Sequence, residues 1–360
     1  MSLHRSGIPV AVRDALYRGT VIPAHPLALD ASRRLDRTRQ RALTRYYVDA
    51  GAGGLAVGVH TTQFAIRDVG LYEPVLALAA ETARAWTDRP LVMIAGLAGR
   101  TAQACEEARI AVAHGYHAGL LSLAAMKGES IDALIAHCEA VAEVVPLVGF
   151  YLQTAVGGLA LPFDFWRRFA AIDNVVAIKM APFDRYRTLE TIRGVAAAGA
   201  EQRIALYTGN DDHILLDLAC PVEVSRPDGS RVRLSIRGGL LGHWSVWTRS
   251  AVQLLARVHA ALEPPQGGGA LRIDADLLAL DSRITDCNGA FFDVANGFGG
   301  CIAGCHEVLR RQGLLEGTWC LDPHEALGPG QAAEIDRVLR EHHDLSDDDF
   351  VTANLERWMS

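Results

Sequence analysis

The chain has 360 residues, half of them hydrophobic and 21% charged, which excludes a disordered or fibrous polymer and fits a globular protein with a large core. Its formal net charge of −7, with 35 basic residues spread along the chain, leaves no cationic footprint for nucleic acid. No run approaches the roughly 18 continuous apolar residues of a membrane helix, residues 1–5 lead into no signal-peptide core, and the seven irregularly spaced cysteines read as reduced thiols, so a cytoplasmic protein is expected.

Short apolar or β-branched runs occur at 20–23, 55–59, 91–95, 119–122, 147–151, 175–180, 204–207 and 239–242. Stretches with helical spacing lie between them, as at 39–50 and 102–113, and glycines such as Gly51, Gly115 and Gly199 close helices. The starts at 91, 119, 147 and 175 are 28 residues apart (119 − 91, 147 − 119, 175 − 147). Eight strands alternating with helices predict a parallel (β/α)8 TIM barrel over 10–255. Alternation around Pro227-Asp228-Gly229 predicts a β-hairpin insertion at 222–236, either an excursion over a barrel end or a contact to another subunit. A loop is expected at 264–269, within a C-terminal helical region over 256–350. The cluster Cys301-x3-Cys305-His306 lacks a second ligand pair at zinc-finger spacing and reads as buried helix cysteines, not a metal site.

One lysine interrupts the run Val175-Val176-Ala177-Ile178-Lys179-Met180-Ala181. Alternation on a strand sets Val176, Ile178 and Met180 on one face and Ala177, Lys179 and Ala181 on the other, so the lysine's face is lined by small side chains. An ammonium there loses hydration, which lowers its pKa from about 10.4 and leaves an amine able to attack a carbonyl carbon. A lysine held by a carboxylate, or snorkelling from a strand end, is the competing reading.

In a (β/α)8 barrel the active site lies at the C-terminal ends of the strands. Candidates there include His25, His60, Thr61, Thr62, Tyr151, Gln153, Lys179, Thr208, Asn210, Asp211 and His243. Gly149, Tyr151 and Gln153 share a face of the fifth strand. If that face is inward, the Tyr151 phenol lies one strand from Lys179, where it could relay the protons that imine formation requires. A structural tyrosine capping a loop is the alternative.

A fifth-strand tyrosine followed by a sixth-strand lysine, with 179 − 151 = 28, resembles the dihydrodipicolinate synthase and N-acetylneuraminate lyase family. The resemblance covers the barrel and the final helices. It implies a Schiff-base-forming lyase or aldolase that binds pyruvate or another 2-oxo acid on Lys179, without a cofactor or metal, with Tyr151 as proton shuttle. A hydroxyl pair after the second strand would hold the substrate carboxylate. That role falls on Thr61 with either His60 or Thr62, depending on register. Gly209-Asn210-Asp211-Asp212 resembles the family's Gly-x-Asp motif. On this reading Gln153, Asn210, Asp211 and His243 also bind substrate, and a homo-oligomer, dimer or tetramer, is implied.

Departures from the family pattern narrow the chemistry. Val156 stands where the synthases carry an arginine that grips the second substrate, and Leu123-Ala124-Ala125-Met126 replaces a Tyr-Tyr pair. An apolar residue cannot replace a guanidinium clamp, so true dihydrodipicolinate synthase activity is disfavoured. Other readings remain: dehydration or cleavage of a 2-keto-3-deoxy sugar acid, a metal-dependent barrel hydrolase built on His25, His60, His243 and Asp211, or an inactive binding homologue.

Overall fold

The computed structural model describes residues 1–263 and 272–360; the loop expected at 264–269 lies outside the described residues. Helix α1 (Val10–Arg18) precedes β1 (Val21–Pro23). Then α2 (Arg37–Ala50), β2 (Gly54–Val57), α3 (Tyr72–Trp86), β3 (Val92–Leu97), α4 (Thr101–Ala113), β4 (Ala118–Leu121) and α5 (Ile131–Ala142) follow. The alternation continues through β5 (Leu147–Leu152), α6 (Phe163–Ala171), β6 (Val175–Ala181), α7 (Arg185–Ala197), β7 (Ala205–Thr208) and α8 (Ile214–Ala219). A two-stranded antiparallel hairpin, β8 (Val222–Ser225) and β9 (Arg231–Leu234), then leads into β10 (Ile236–Leu241).

The eight barrel strands are parallel and pair in the order β1-β10-β7-β6-β5-β4-β3-β2, and a parallel bridge between Ala24 and Ala56 brings the two ends together. This is a (β/α)8 TIM barrel. Ile236, assigned to the hairpin from sequence, instead opens the last barrel strand, because it pairs with Leu206 of β7. Helix α9 (Thr248–Leu262) completes the barrel. The C-terminal region adds α10 (Ala275–Phe291), α11 (Cys301–Arg311), α12 (Gln331–Glu341) and α13 (Asp348–Met359). No helix among the described residues is long and apolar enough to cross a membrane.

Strand alternation divides the core in two. Ile22, Ile94, Leu120, Val148, Tyr207 and Leu240 fill the barrel interior, whereas Leu55, Leu147, Ile178 and Met180 pack outward against helices. Helix α1 seals the N-terminal end: Val12 and Leu16 join the interior cluster, and the Tyr207 hydroxyl donates to the Leu16 carbonyl at 2.8 Å. The opposite end is left for a site.

A buried ion pair fastens that end. Arg67, in the short turn Phe64–Arg67 after β2, donates through Nε and Nη2 to the two carboxylate oxygens of Glu107 on α4, both at 2.9 Å, and through Nη2 to the Gly96 carbonyl at 3.0 Å. Glu107 also accepts from the Ala98 amide and from Gln103 Nε2, each at 2.9 Å. Both charges are therefore well partnered despite side-chain exposures of only 10% and 7%. Removing one partner strands the other, so Glu107→Ala should destabilise the fold by about 3–5 kcal/mol, read as a lower urea midpoint, and adding Arg67→Met should recover part of that loss.

Candidate active site

The pairing of β5 with β6 decides which side chains meet. Leu147 pairs with Val175, but Val148 pairs with Ala177, so β6 carries one extra residue at its start. Beyond this irregularity Phe150 lies opposite Lys179, and Tyr151 lies opposite Met180. Lys179 points into the barrel mouth, where its Nζ stands 4.6 Å from the centre of the Phe150 ring. Tyr151 faces the helices: its ring packs 5.3 Å from that of Trp166, and its hydroxyl accepts from the Leu161 amide at 3.2 Å. The phenol expected as a proton shuttle therefore points away from the cavity that holds Lys179. The sequence step of 28 joins residues on opposite faces, because the extra residue makes the true partner 179 − 150 = 29 positions away.

Lys179 is 8% exposed and makes no ion pair within 4.0 Å among the described residues. Burial lowers its pKa to about 8, against an opposing pull from Asp211 and, less, from Cys301. Gly209, just after β7, permits the lysine's approach: a Cβ there would lie 2.5 Å from Lys179 Cε and 2.9 Å from Ala181 Cβ. Asp211 follows two residues on, and burial pushes its carboxyl up to about 7 although Lys179 opposes the shift. One carboxylate oxygen of Asp211 accepts from the His243 amide at 3.0 Å. Lysine and aspartate thus line one cavity without touching.

The same cavity takes in His60, Thr61 and Gln153. His60 is half-buried, and burial, with the nearby lysine charge, lowers its imidazole to about 4, so the ring is neutral at pH 7. The threonine hydroxyls expected to hold a carboxylate are otherwise engaged. Thr61 Oγ1 donates to the Ala24 carbonyl at 2.7 Å, and Thr62 Oγ1 donates to the His25 carbonyl at 2.6 Å while accepting from the Gly58 and Val59 amides. They brace the loop after β2, and only Thr61 reaches the cavity wall.

Two more candidates move out of the site. Asn210 accepts from the Phe183 amide at 3.0 Å and donates to Thr188 Oγ1 at 3.1 Å and to Asp217 at 2.9 Å, so its side chain is spent on the loop after β6 and on α7 and α8. His243 turns its ring onto Phe291, centroids 5.7 Å apart, and lines a separate groove beside Trp247 and Ile284; only its backbone reaches Asp211. The hydrolase ligand set is not assembled either. His25 lies 2.9 Å from both the Pro26 carbonyl and Thr44 Oγ1. Among the described residues the one cluster of three possible metal ligands is Asp286, Glu341 and His342, where Arg337 already pairs with Asp286 and Glu341.

The C-terminal region supplies what the barrel lacks. Phe292, Phe298 and Cys301 close the cavity over Lys179, and Phe298 meets Phe183 edge-on at 5.9 Å. The loop that carries them is pinned: Asp293 accepts from the Gly300 amide at 2.9 Å, and Gln331 Nε2 donates to the carbonyls of Ala290, Phe291 and Gly300. Cys301, expected as a plain buried helix cysteine, is a wall of the site, its thiol pushed well up by burial. Cys305 and His306 stay in the core. Nothing in the spacing of Phe292 and Phe298 singles them out in the sequence.

Tyr151→Phe should cost only about 1 kcal/mol of stability for the lost acceptor of the Leu161 amide, measured by urea unfolding. Among curated proteins, none matches the sequence. Solved structures do: a chloride-inhibited dihydrodipicolinate synthase from Acinetobacter baumannii complexed with pyruvate superposes with a TM-score of 0.72 at 19% identity, over 90% of this chain and 99% of its own. YagE, a prophage protein of the dihydrodipicolinic acid synthase family from E. coli K12, in complex with pyruvate, gives 0.72 at 18% identity, over 91% and 99%. N-acetylneuraminate lyase from Fusobacterium nucleatum gives 0.69 at 14%, over 90% and 99%. At such identities the shared property is the fold. The model of the dihydrodipicolinate synthetase family matches residues 18–220, more than half of the sequence, and membership supports a lyase of the class I, Schiff-base-forming aldolase type. The chain belongs to the dihydrodipicolinate synthetase family.

Proposed function

We propose that this protein is a class I lyase that binds a 2-oxo acid as an imine on Lys179 and makes or breaks a carbon–carbon bond beside it. The observation that carries this reading is a buried lysine at the barrel mouth, in contact with no carboxylate, whose amine is lowered to about 8 by burial. A usable share of it is neutral at pH 7, about a tenth, and a neutral amine is the nucleophile imine formation needs. The 2-oxo group sits against Lys179, and the carboxylate turns toward His60 and the loop after β2, away from Asp211. The iminium that forms is an electron sink for the C3–H bond or for a C3–C4 bond, so the enamine can be reached from either side.

The cavity walls narrow the second reactant. Val59, Phe150, Leu152, Val156, Phe183, Phe292 and Phe298 are apolar, and Gln153, Asp211 and Cys301 are the polar groups beyond the imine end. A polyhydroxylated chain would lose hydration there with few partners in return, which disfavours the sugar-acid reading. The absence of an arginine from the wall likewise disfavours a second carboxylate. The space open to the centre of a water molecule is about 50 Å³, enough for a few waters or for a compact acid of pyruvate's size. A second reactant reaches a bound acid only from where the cavity opens outward, and an apolar substituent matches the wall it meets there better than a hydroxylated one does.

Incubation with pyruvate and sodium borohydride should add mass to a peptide containing Lys179, and Lys179→Ala should add none. With pyruvate bound, benzaldehyde should be condensed at least about 10-fold faster than glyceraldehyde, since a ring against apolar walls gains roughly 1.4 kcal/mol or more over a hydrated polyol. Absence of label from a panel of 2-oxo acids would reject the imine. Preference for glyceraldehyde would instead restore the sugar-acid reading.

A further inference from the structure

In place of the phenol that the family resemblance called for, the neighbouring strand presents Lys179 with Phe150, a ring that carries no exchangeable proton. Imine chemistry still needs a group that first donates and then accepts a proton. Of the polar residues in the cavity, Thr61 has its hydroxyl engaged as a donor to the Ala24 carbonyl, Gln153 is an amide, and the Cys301 thiol is raised well beyond the neutral range. His60 is held neutral by burial and by Lys179, which makes it a poor donor. Asp211 remains, fixed through one oxygen by the His243 amide, with its other oxygen available to the cavity it shares with Lys179. We propose that Asp211 is the proton-carrying catalytic residue of this enzyme, occupying the role that a strand-five phenol would otherwise take. The inference rests on the imine reading of Lys179.

The balance closes with these two side chains alone. The neutral Lys179 amine attacks C2 of the 2-oxo acid, forming the C–N bond while the carbonyl π pair moves to oxygen, and a proton shifts from nitrogen to that oxygen to give a carbinolamine. The protonated Asp211 carboxyl then gives its proton to the hydroxyl. The C–O bond breaks, water leaves, and the nitrogen lone pair forms the C=N bond. The product is an iminium beside a carboxylate, with the same net charge as the starting amine and acid. The Asp211 carboxylate next takes a proton from C3, yielding the enamine, or takes the C4 hydroxyl proton as the C3–C4 bond breaks and an aldehyde leaves.

The starting state needs one proton shared between the two groups, and their environments bring their affinities close: burial raises Asp211 to about 7 and lowers Lys179 to about 8. The ionisable groups around Asp211 are few. Lys179 on β6 stabilises its carboxylate and Asp212 opposes it. Cys301 and Cys305 on α11 are protonated thiols, and His60 and His243 are neutral rings. The pair as a unit should therefore set the pH dependence. Below about pH 7 both sites hold protons and the amine is not nucleophilic; above about pH 8 both are empty and the acid is gone.

The test compares the full-length enzyme with Asp211→Asn, whose amide oxygen can still accept from the His243 N–H. Two readings are taken with pyruvate: the rate of borohydride-trapped mass gain at Lys179, and exchange of the methyl protons in heavy water followed by NMR. The wild type should trap and exchange, with a bell-shaped dependence of trapping rate on pH. The variant should approach the same final extent of trapping while its exchange rate falls about 100-fold or more, and its trapping rate should show one ascending limb only. If exchange in the variant stays within a few-fold of the wild type, Asp211 is not the proton carrier and the imine reading stands. If the wild type gains no mass with any 2-oxo acid, both fall together. A wild-type trapping rate that is flat between about pH 6 and 9 overturns the Asp211 assignment with no variant needed.

Discussion

An amine that the fold neither hydrates nor neutralises by contact is the constraint around which the barrel mouth is built. Lys179 emerges from β6 between Ala177 and Ala181, passes Gly209 at a distance no Cβ would tolerate, and ends over the face of Phe150. Lowering its pKa from 10.5 to about 8 means that the charged form is disfavoured by roughly 3 kcal/mol relative to water. The cost builds as pH falls below the unfolded value of 10.5, where the unfolded chain takes up the proton and the buried amine does not, and it is complete below about 8. A fold with a large double-layered core can carry such a penalty; a marginal one could not. A direct carboxylate contact would have removed the penalty and the nucleophile with it.

The second element of the site is distance. Asp211 is close enough for each charge to shift the other's titration, yet more than 4.0 Å separates the lysine from any carboxylate among the described residues. In that gap a carbonyl carbon can approach one group and its oxygen the other. The Asp211 position is set by a backbone donor, the His243 amide, and not by a side chain that could rotate away. The loop before it is held in turn: Asn210 ties Phe183, Thr188 and Asp217 together, while Thr208 donates to Asp217 at 2.7 Å. These are buried polar groups spending their hydrogen bonds on geometry, which is why residues that look like ligands in the sequence serve as struts.

Much of the architecture was legible because strand and helix periodicities are strong and local. Eight apolar runs with regular spacing specify a parallel barrel, and the alternation around Lys179 puts the lysine on its small-residue face. The partner of that lysine was not legible in the same way. One extra residue at the start of β6 changes which face of β5 meets it, and a bulge of this kind leaves no compositional mark in Val175-Val176-Ala177. Thr61 and Thr62 misled for a related reason: a hydroxyl near a strand end looks available until the carbonyls of Ala24 and His25 are placed against it. The aromatic roof was invisible, since Phe292 and Phe298 reach the site only through the tertiary path that α10, the 293–300 turn and Gln331 impose.

Apolar walls and the missing phenol belong together. In a polar site an aspartate remains ionised across the neutral range, binds hydroxyls as an acceptor, and has no proton to give; a tyrosine is then the natural shuttle. Here Phe150, Phe183, Phe292 and Phe298 line the cavity that lysine and aspartate share, and burial raises the carboxyl toward neutrality while lowering the amine. The change that removes a hydroxyl from the wall thus creates the conditions under which a carboxyl can replace it. On the same reading it narrows the substrate, because a cavity that raises the aspartate by dehydrating it is poorly able to solvate the hydroxyl groups of a sugar. If Asp211 carries the proton as proposed, proton transfer and substrate choice both depend on one property of the wall, its mostly apolar lining, and a substitution that restores polarity there acts on both at once.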